Sequence, residues 1–285
     1  MIRQVVPVLA GLTAATMAQA ADLAVKAPPA AAPSWTGVYI GATLGGAWAD
    51  RDLSLVGNDV PAANRLAANT SFPGNQPVVA PGVSARSLTG GLEAGFDVQA
   101  SAAVVAGFVA DVSLMSLEGS GAGTNALLPP SFTQTLTVDQ KVDWWGTLRA
   151  RLGWLATENL LLYATGGLAY GHVERSAAYR FDGPAAILGG GPAGVSYLCA
   201  APGQACFSGS ASSVELGFTA GAGGELRLTR QWSLKAEYLY VSLGRSAVDS
   251  VAVAVFNAGD RPSSFNADFG RTDFQVARGG AVYRF

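Results

Sequence analysis

The chain has 285 residues, of which 49% are hydrophobic and only 13% are charged, about half the charged share of an ordinary soluble protein. Its net charge of −2 excludes the strong positive field of a nucleic-acid-binding protein, and two cysteines with one histidine exclude a multi-cysteine or multi-histidine zinc site. A mean hydropathy of +0.28 excludes an acidic disordered chain. We therefore expect no metal, no cofactor and no nucleic-acid partner.

The N-terminus carries the pattern of a secretory signal peptide over residues 1–20. Arg3 supplies the positive start, a short apolar core follows, and Ala-Gln-Ala at 18–20 forms the cleavage motif. A membrane anchor is the alternative, but the apolar core is short and contains a proline. Residues 21–34 are rich in alanine and proline, which predicts an extended periplasmic linker.

Beyond the N-terminus, charges or clusters of glycine and proline interrupt every apolar stretch. No run reaches the 18–20 apolar residues that a transmembrane helix requires. A chain this apolar can still cross lipid as a closed β-barrel, because closure pairs every backbone N–H and C=O group. The remaining sequence, residues 35–285, should then show alternating strands.

Residues 142–154 show the clearest alternation, which continues over thirteen residues. The odd positions hold Asp143, Trp145, Thr147, Arg149, Arg151 and Gly153. The even positions hold Val142, Trp144, Gly146, Leu148, Ala150, Leu152 and Trp154. Because a transmembrane strand needs about 9–11 residues, we predict that the even face contacts lipid and the odd face lines the lumen.

The same alternation recurs along the chain and predicts an all-β fold, an eight-stranded antiparallel transmembrane β-barrel. The predicted strands cover residues 35–50, 86–99, 101–117, 140–156, 159–175, 213–229, 231–246 and 270–285. Short periplasmic turns are expected near residues 100, 157–158 and 230. Long extracellular loops are expected at residues 51–85, 118–139, 176–212 and 247–269.

Aromatic residues near the strand ends predict two girdles at the membrane interfaces. These residues are Trp35, Trp48, Trp144, Trp154, Trp232, Tyr283 and Phe285. A random distribution of core tryptophans is the alternative.

Charged residues on the polar strand faces are expected to point into the lumen. They are Glu93, Asp111, Arg149, Arg151, Glu225, Lys235, Glu237 and Arg278. The interior of an eight-stranded barrel is just wide enough for side chains to fill, and unpaired buried charges are costly. We predict a salt-bridge plug around Arg149 and Arg151, with Glu93 and Glu237 as candidate partners; a narrow polar pore is the alternative.

Several segments together resemble the small outer-membrane β-barrel proteins of alphaproteobacteria, the surface-immunogenic, opacity-like porin family. The resemblance lies in ADLAVKAPP (21–29), WTGVYIG (35–41), VDWWGTLRARLG (142–153), TGGLAYG (165–171), WSLKAEYLY (232–240) and the terminal YRF (283–285). It implies an eight-stranded barrel in the bacterial outer membrane, with roles in envelope integrity, antigenicity and sometimes adhesion or weak permeation. Its partners would be outer-membrane lipids, lipopolysaccharide and a host or surface ligand at the loops. Phe285 resembles the end signal that the barrel-assembly machinery reads.

Two further features carry chemistry. Cys199 and Cys206 lie close together in an exported chain, which predicts a disulfide that closes a short surface loop. His172 shares one strand face with Glu174 and Ser176, which permits a Ser/His/acid hydrolase. A surface histidine is the simpler interpretation, so we expect no catalytic site.

The sequence thus supports three functions, in decreasing order. The first is a barrel that stabilises the envelope and displays its loops. The second is a small, low-conductance pore, and the third is a lipid-modifying enzyme of the outer membrane.

Overall fold

The computed structural model describes residues 34–51, 53–66, 82–127, 132–182, 195–196, 198–199, 201–255 and 257–285. The predicted signal peptide and almost all of the predicted linker lie outside these residues. The described elements, in chain order, are β1 (Gly37–Arg51), β2 (Ser54–Gly57), α1 (Val60–Leu66), β3 (Val83–Gln99), β4 (Val104–Leu127), β5 (Phe132–Thr157), β6 (Leu160–Phe181), β7 (Val195–Ser196), β8 (Ala205–Arg227), β9 (Trp232–Ala252), β10 (Arg261–Pro262) and β11 (Ser264–Arg284). No helix in these ranges is long and apolar enough to cross a membrane.

Eight long antiparallel strands form a closed ring, in the order β1, β3, β4, β5, β6, β8, β9, β11. β11 pairs back onto β1 from Tyr39↔Arg284 to Trp48↔Gln275. Closure removes the sheet edges, which is what a strand-built structure needs in lipid. The predicted eight-stranded antiparallel barrel is confirmed.

Alternation of side chains along the strands gives the barrel an apolar outer surface. It also gives a polar lumen in the half of the barrel where the chain enters β1. Leu44, Leu88 and Leu216 are 68%, 76% and 75% exposed, because they point away from the barrel axis. Their sequence neighbours Thr43, Thr89 and Glu215 are buried on the inner face. The predicted outward and inward faces therefore hold through the membrane-spanning part of these strands.

The connections differ in length at the two ends of the barrel. Residues 100–103, 158–159 and 228–231 form short turns at the end where the chain enters β1. At the opposite end, β2 adds to the sheet beside β11, and β7 pairs with β10 in a separate small sheet. The predicted long loop at 118–139 is wrong, because β4 and β5 stay paired out to Leu127↔Phe132.

A β-bulge at Asp143 reverses the faces of β5. Below the bulge Trp144 pairs with His172, and above it Val142 pairs with Val173, so one residue of β5 is extra. Val142, predicted on the lipid face, is therefore 1% exposed inside the barrel. Lys141 and Asp143 point outward instead.

Lumen glycines make room for large aromatic side chains. A Cβ atom on Gly95 would overlap the ring of Tyr39, and one on Gly223 would overlap the ring of Tyr163. The phenol end of each tyrosine lies against a glycine of another strand, and both tyrosines are at most 5% exposed. The glycines thus allow the lumen to be filled without widening the barrel.

Candidate functional site

The lumen holds a network of buried charges. All eight charged residues predicted there are at most 6% exposed, and they come from six strands of the ring. Desolvating so many ions is costly, so the network is stable only if opposite charges and hydrogen bonds compensate each one.

Glu237 on β9 is the centre of the network. Arg149 Nη1 donates to its Oε1 at 2.7 Å, and Arg278 Nη2 donates to its Oε2 at 2.8 Å. The same two arginines contact Asp111 Oδ2 at 2.9 and 3.2 Å. Two guanidinium groups are thus held between two carboxylates of non-neighbouring strands, which ties opposite walls of the barrel together.

The predicted partners of the two central arginines are only partly correct. Arg149 does contact Glu237, but Glu93 contacts Lys235, whose Nζ lies 2.5 Å from its Oε2. Arg151 lies nearer the periplasmic end and contacts Glu225 at 2.6 Å. Strand alternation indicates which side chains face the lumen, but pairing depends on the stagger between strands, which the pattern does not contain.

A second cluster lies at the periplasmic end and includes two residues that the sequence analysis missed. Arg284 Nη2 donates to Asp97 Oδ2 at 2.9 Å and lies 3.4 Å from Glu225 Oε1. Arg151 lies 3.6 Å from Asp97 and stacks on the ring of Tyr163 at 3.9 Å. Asp97 and Arg284 occupy inward positions of β3 and β11, so extending the alternation to the strand ends would have found them.

Trp35 closes the periplasmic mouth of the lumen, which corrects its prediction as an interfacial aromatic. Its side chain is 0% exposed, and its Nε1 donates to the carbonyl of Glu158 at 3.2 Å. The guanidinium of Arg227 lies 4.0 Å from its ring centroid, and Arg284 donates to its carbonyl at 2.7 Å. Trp35 precedes β1, so its side chain folds across the opening instead of continuing the outward face.

The other predicted girdle residues lie on the outer face. At the periplasmic end Tyr283 contacts Trp232 and Phe285, each with ring centroids 5.2 Å apart. Trp154, on the same rim, is 56% exposed. At the outer end Trp48 and Trp144 are half-buried against neighbouring tyrosines.

Above the charged network the lumen is apolar. Trp145 and Phe274 pack edge to face across it at 5.6 Å, with Leu239, Val241 and Val276 in the same layer. One further ion pair follows, in which Arg175 donates to both oxygens of Glu215 at 2.6 and 3.0 Å. An outer apolar core lies beyond it, with Leu136, Tyr179, Phe207 and Phe265 fully buried.

The predicted disulfide between Cys199 and Cys206 is confirmed and joins this outer core. The two residues are separated by seven positions. We expect the Cys199→Ala/Cys206→Ala variant to lose about 2 kcal/mol of unfolding free energy, because a loop this short gains a modest entropic constraint. Urea unfolding followed by tryptophan fluorescence measures the loss. Two free thiols in the purified native protein would contradict this account.

His172 lies on the outer face, beside the bulge at Asp143. Its Nδ1 lies 3.3 Å from Asp143 Oδ2, and its Nε2 lies 2.9 Å from Ser212 Oγ. Ser176, the predicted serine partner, instead donates to Asp139. The bulge and the stagger of β8 against β6 bring these residues together, and neither was visible in the alternation. Among the described residues one group has the spacing of a cation site, namely Asp143, His172 and Glu174.

Comparison with known proteins agrees with the barrel. The family model described as the outer membrane protein beta-barrel domain matches residues 8–285. A 31 kDa outer-membrane immunogenic protein of Brucella melitensis biotype 1 is 33% identical over 287 residues, covering 98% of this chain and 98% of the relative. The protein of the same name from Brucella suis biovar 1 matches equally.

Two solved structures also align, although loosely. OprG of Pseudomonas aeruginosa is 11% identical with a TM-score of 0.39, covering 88% of this chain and 97% of that one. Ail, the attachment invasion locus protein of Yersinia pestis, is 12% identical with a TM-score of 0.30, covering 88% and 99%. Both TM-scores are below 0.5, so the family assignment rests on the family model and on the Brucella relatives. The chain belongs to the outer-membrane β-barrel family and is located in the bacterial outer membrane.

Proposed function

We propose that the protein is a sealed structural barrel of the outer membrane, which contributes to envelope integrity and displays its outer end at the cell surface. The observation that carries the proposal is the cross-lumen network centred on Glu237. Two of its ion pairs, Arg149–Glu237 and Arg278–Asp111, join non-neighbouring strands, and its charged groups are almost fully desolvated. Charged groups that compensate one another in this way stabilise the barrel wall. They do not line an open path for solutes.

The layers above and below the network support sealing. An ion that crosses the lumen would pass Trp35, the charged clusters, the apolar layer around Trp145 and then the outer core. An apolar layer offers nothing to replace the hydration shell of an ion. The lumen is thus proposed to serve stability, with neither transport nor catalysis inside it.

A narrow pore is the second candidate, and one observation favours it. Glu93 Oε1, Asp97 Oδ1 and Arg151 Nε are buried without a hydrogen-bond partner among the described residues. Buried polar atoms without a protein partner are commonly bound to water, and a pore requires a water-filled lumen. The two candidates are distinguished by the rate at which proteoliposomes swell in a solution of a small sugar. A sealed barrel predicts the same swelling rate as liposomes without protein. A pore predicts a higher swelling rate.

We further propose three contacts. The apolar band, which includes Leu44, Leu88 and Leu216, contacts outer-membrane lipids and lipopolysaccharide. Phe285, 73% exposed after β11, contacts the barrel-assembly machinery. The outer connections bind a host or surface ligand.

Surface display is tested with a pair of matched cysteine variants. Ala258 lies in the connection after β9 at the outer end, and Ala102 lies in the turn before β4; both are exposed. The native cysteines are bonded to each other and give little background. We expect a membrane-impermeant maleimide to label Ala258→Cys in intact cells and Ala102→Cys only after permeabilisation. The reverse result would contradict the proposed orientation.

A further inference from the structure

Three strands bring an acid, a histidine and a serine into line on the outer face of the barrel. Asp143 comes from the bulge of β5, His172 from β6 and Ser212 from β8. Asp143 Oδ2 lies 3.3 Å from His172 Nδ1, and His172 Nε2 lies 2.9 Å from Ser212 Oγ. Each ring nitrogen therefore has one partner, in the order that a nucleophilic serine, its base and an orienting acid require.

The surroundings hold the imidazole in this orientation and keep it accessible. The ring of Trp144 is nearly parallel to that of His172, with an interplanar angle of 8° and centroids 6.4 Å apart. The side chains of His172 and Asp143 are 25% and 32% exposed, and Ser212 is exposed. A ring held on one face by an indole and on both nitrogens by hydrogen bonds is preorganised for proton transfer.

The position of the three residues indicates the substrate class. Ser212 lines a groove of about 720 Å³ with Glu118, Lys141 and Glu174. On the same strand and the same outer face, Val214 and Leu216 are 56% and 75% exposed and belong to the apolar band. Acyl chains that lie against these two residues would present a lipid ester at the level of Ser212.

We infer that Ser212, His172 and Asp143 form a hydrolytic site for acyl esters of membrane lipids. Ser212 Oγ attacks the ester carbonyl carbon while its proton passes to His172 Nε2. The C–O bond to the lipid alcohol then breaks, and the alcohol oxygen takes the proton from His172. Water then attacks the acyl-serine carbonyl carbon while His172 Nε2 takes one of its protons. The bond between that carbon and Ser212 Oγ breaks, Ser212 Oγ takes the proton back from His172, and the fatty acid leaves. Asp143 is the positioning residue, which orients the imidazole through Nδ1.

A cation site at Asp143, His172 and Glu174 is the competing interpretation of the same residues. The position of Lys141 argues against a cation site, because its ammonium lies 2.9 Å from Asp143 Oδ1 and 3.6 Å from Glu118 Oε1. A bound divalent ion would be repelled by that charge. It would also displace Ser212 or Asp143 from the ring nitrogens of His172. The contacts that are present therefore favour proton transfer.

The test is covalent labelling of the folded, full-length protein with a fluorophosphonate, which reacts with activated serines. We expect one adduct, located on Ser212 by mass spectrometry. His172→Ala should slow labelling by about 10²-fold or more, the contribution of a general base. Asp143→Asn should slow it while Asp143→Glu retains most of the rate, which a merely structural role would not produce. Ser210→Ala, in the same groove, is the matched control and should label normally.

The lipid source is identified by measuring fatty-acid release from phosphatidylglycerol vesicles and from lipopolysaccharide in parallel. Release from either, lost in Ser212→Ala and kept in Ser210→Ala, supports the proposal and names the source. Release from neither overturns it. Absence of the Ser212 adduct, or labelling that is unchanged in His172→Ala, also overturns it. If a chelator abolishes release, or Zn²⁺ binding depends on His172 without labelling, the cation site is correct instead.

Discussion

Arg149→Ala is expected to lower the free energy of unfolding by about 3–5 kcal/mol, the cost of removing one partner from a buried ion pair. Arg149 is 0% exposed and bridges Glu237 and Asp111. Its loss leaves two buried carboxylates with less compensating charge. Equilibrium urea unfolding in lipid vesicles, followed by tryptophan fluorescence, gives the difference.

Arg245→Ala is the matched control, because Arg245 is an exposed arginine on β9 outside the network. Substitutions at such sites usually change stability by about 0.5 kcal/mol or less. If the two variants unfold at the same urea concentration, the network does not stabilise the barrel.

The pair Arg175–Glu215 should respond differently to single and double substitution. It lies between two apolar layers, and Arg175 donates to both carboxylate oxygens. Glu215→Leu alone leaves a buried guanidinium without its counter-charge and is expected to cost about 3–5 kcal/mol. Glu215→Leu/Arg175→Met should recover most of that loss, because well-packed apolar side chains replace buried ion pairs at little cost.

The same unfolding measurement on Arg175→Met alone completes the double-mutant cycle. A double variant as unstable as the sum of its single variants would show that the two residues act independently. That result would contradict the short bidentate contact between them.

Strand alternation was sufficient to predict the barrel and the direction of most side chains. The inward charges and the outward leucines follow from period-two patterning, because one face must contact lipid and the other must not. Phe285 and Trp232, predicted at the membrane interface from their places near strand ends, also lie on the outer face. These features depend on residues that are near in sequence, so a pattern is enough to find them.

The features that the sequence analysis missed depend on relations between strands. A single extra residue at Asp143 moved Val142 inside, and alternation contains no signal for such an insertion. The pairing of Glu93 with Lys235 depends on strand stagger. β4 and β5 continue as a hairpin where a loop was predicted. Backbone hydrogen bonds between the two strands form there although many of the side chains are small and polar.

The contacts of His172 also depend on the register between strands. Ser212 lies forty positions away in sequence, yet it contacts His172 across β6 and β8. Of the two residues predicted from the same strand, Glu174 does lie close to His172, whereas Ser176 donates to Asp139 instead. A site assembled from three strands becomes visible only when their register is known.

The most direct test of the sealed lumen is electrical. Single-channel recording of the folded wild-type protein in a planar bilayer should show no current steps above those of the bare membrane, with insertion verified independently. Discrete, reproducible steps that disappear or change size in Arg149→Ala would show that ions pass the Glu237 network. That result would contradict the sealed barrel and establish the pore.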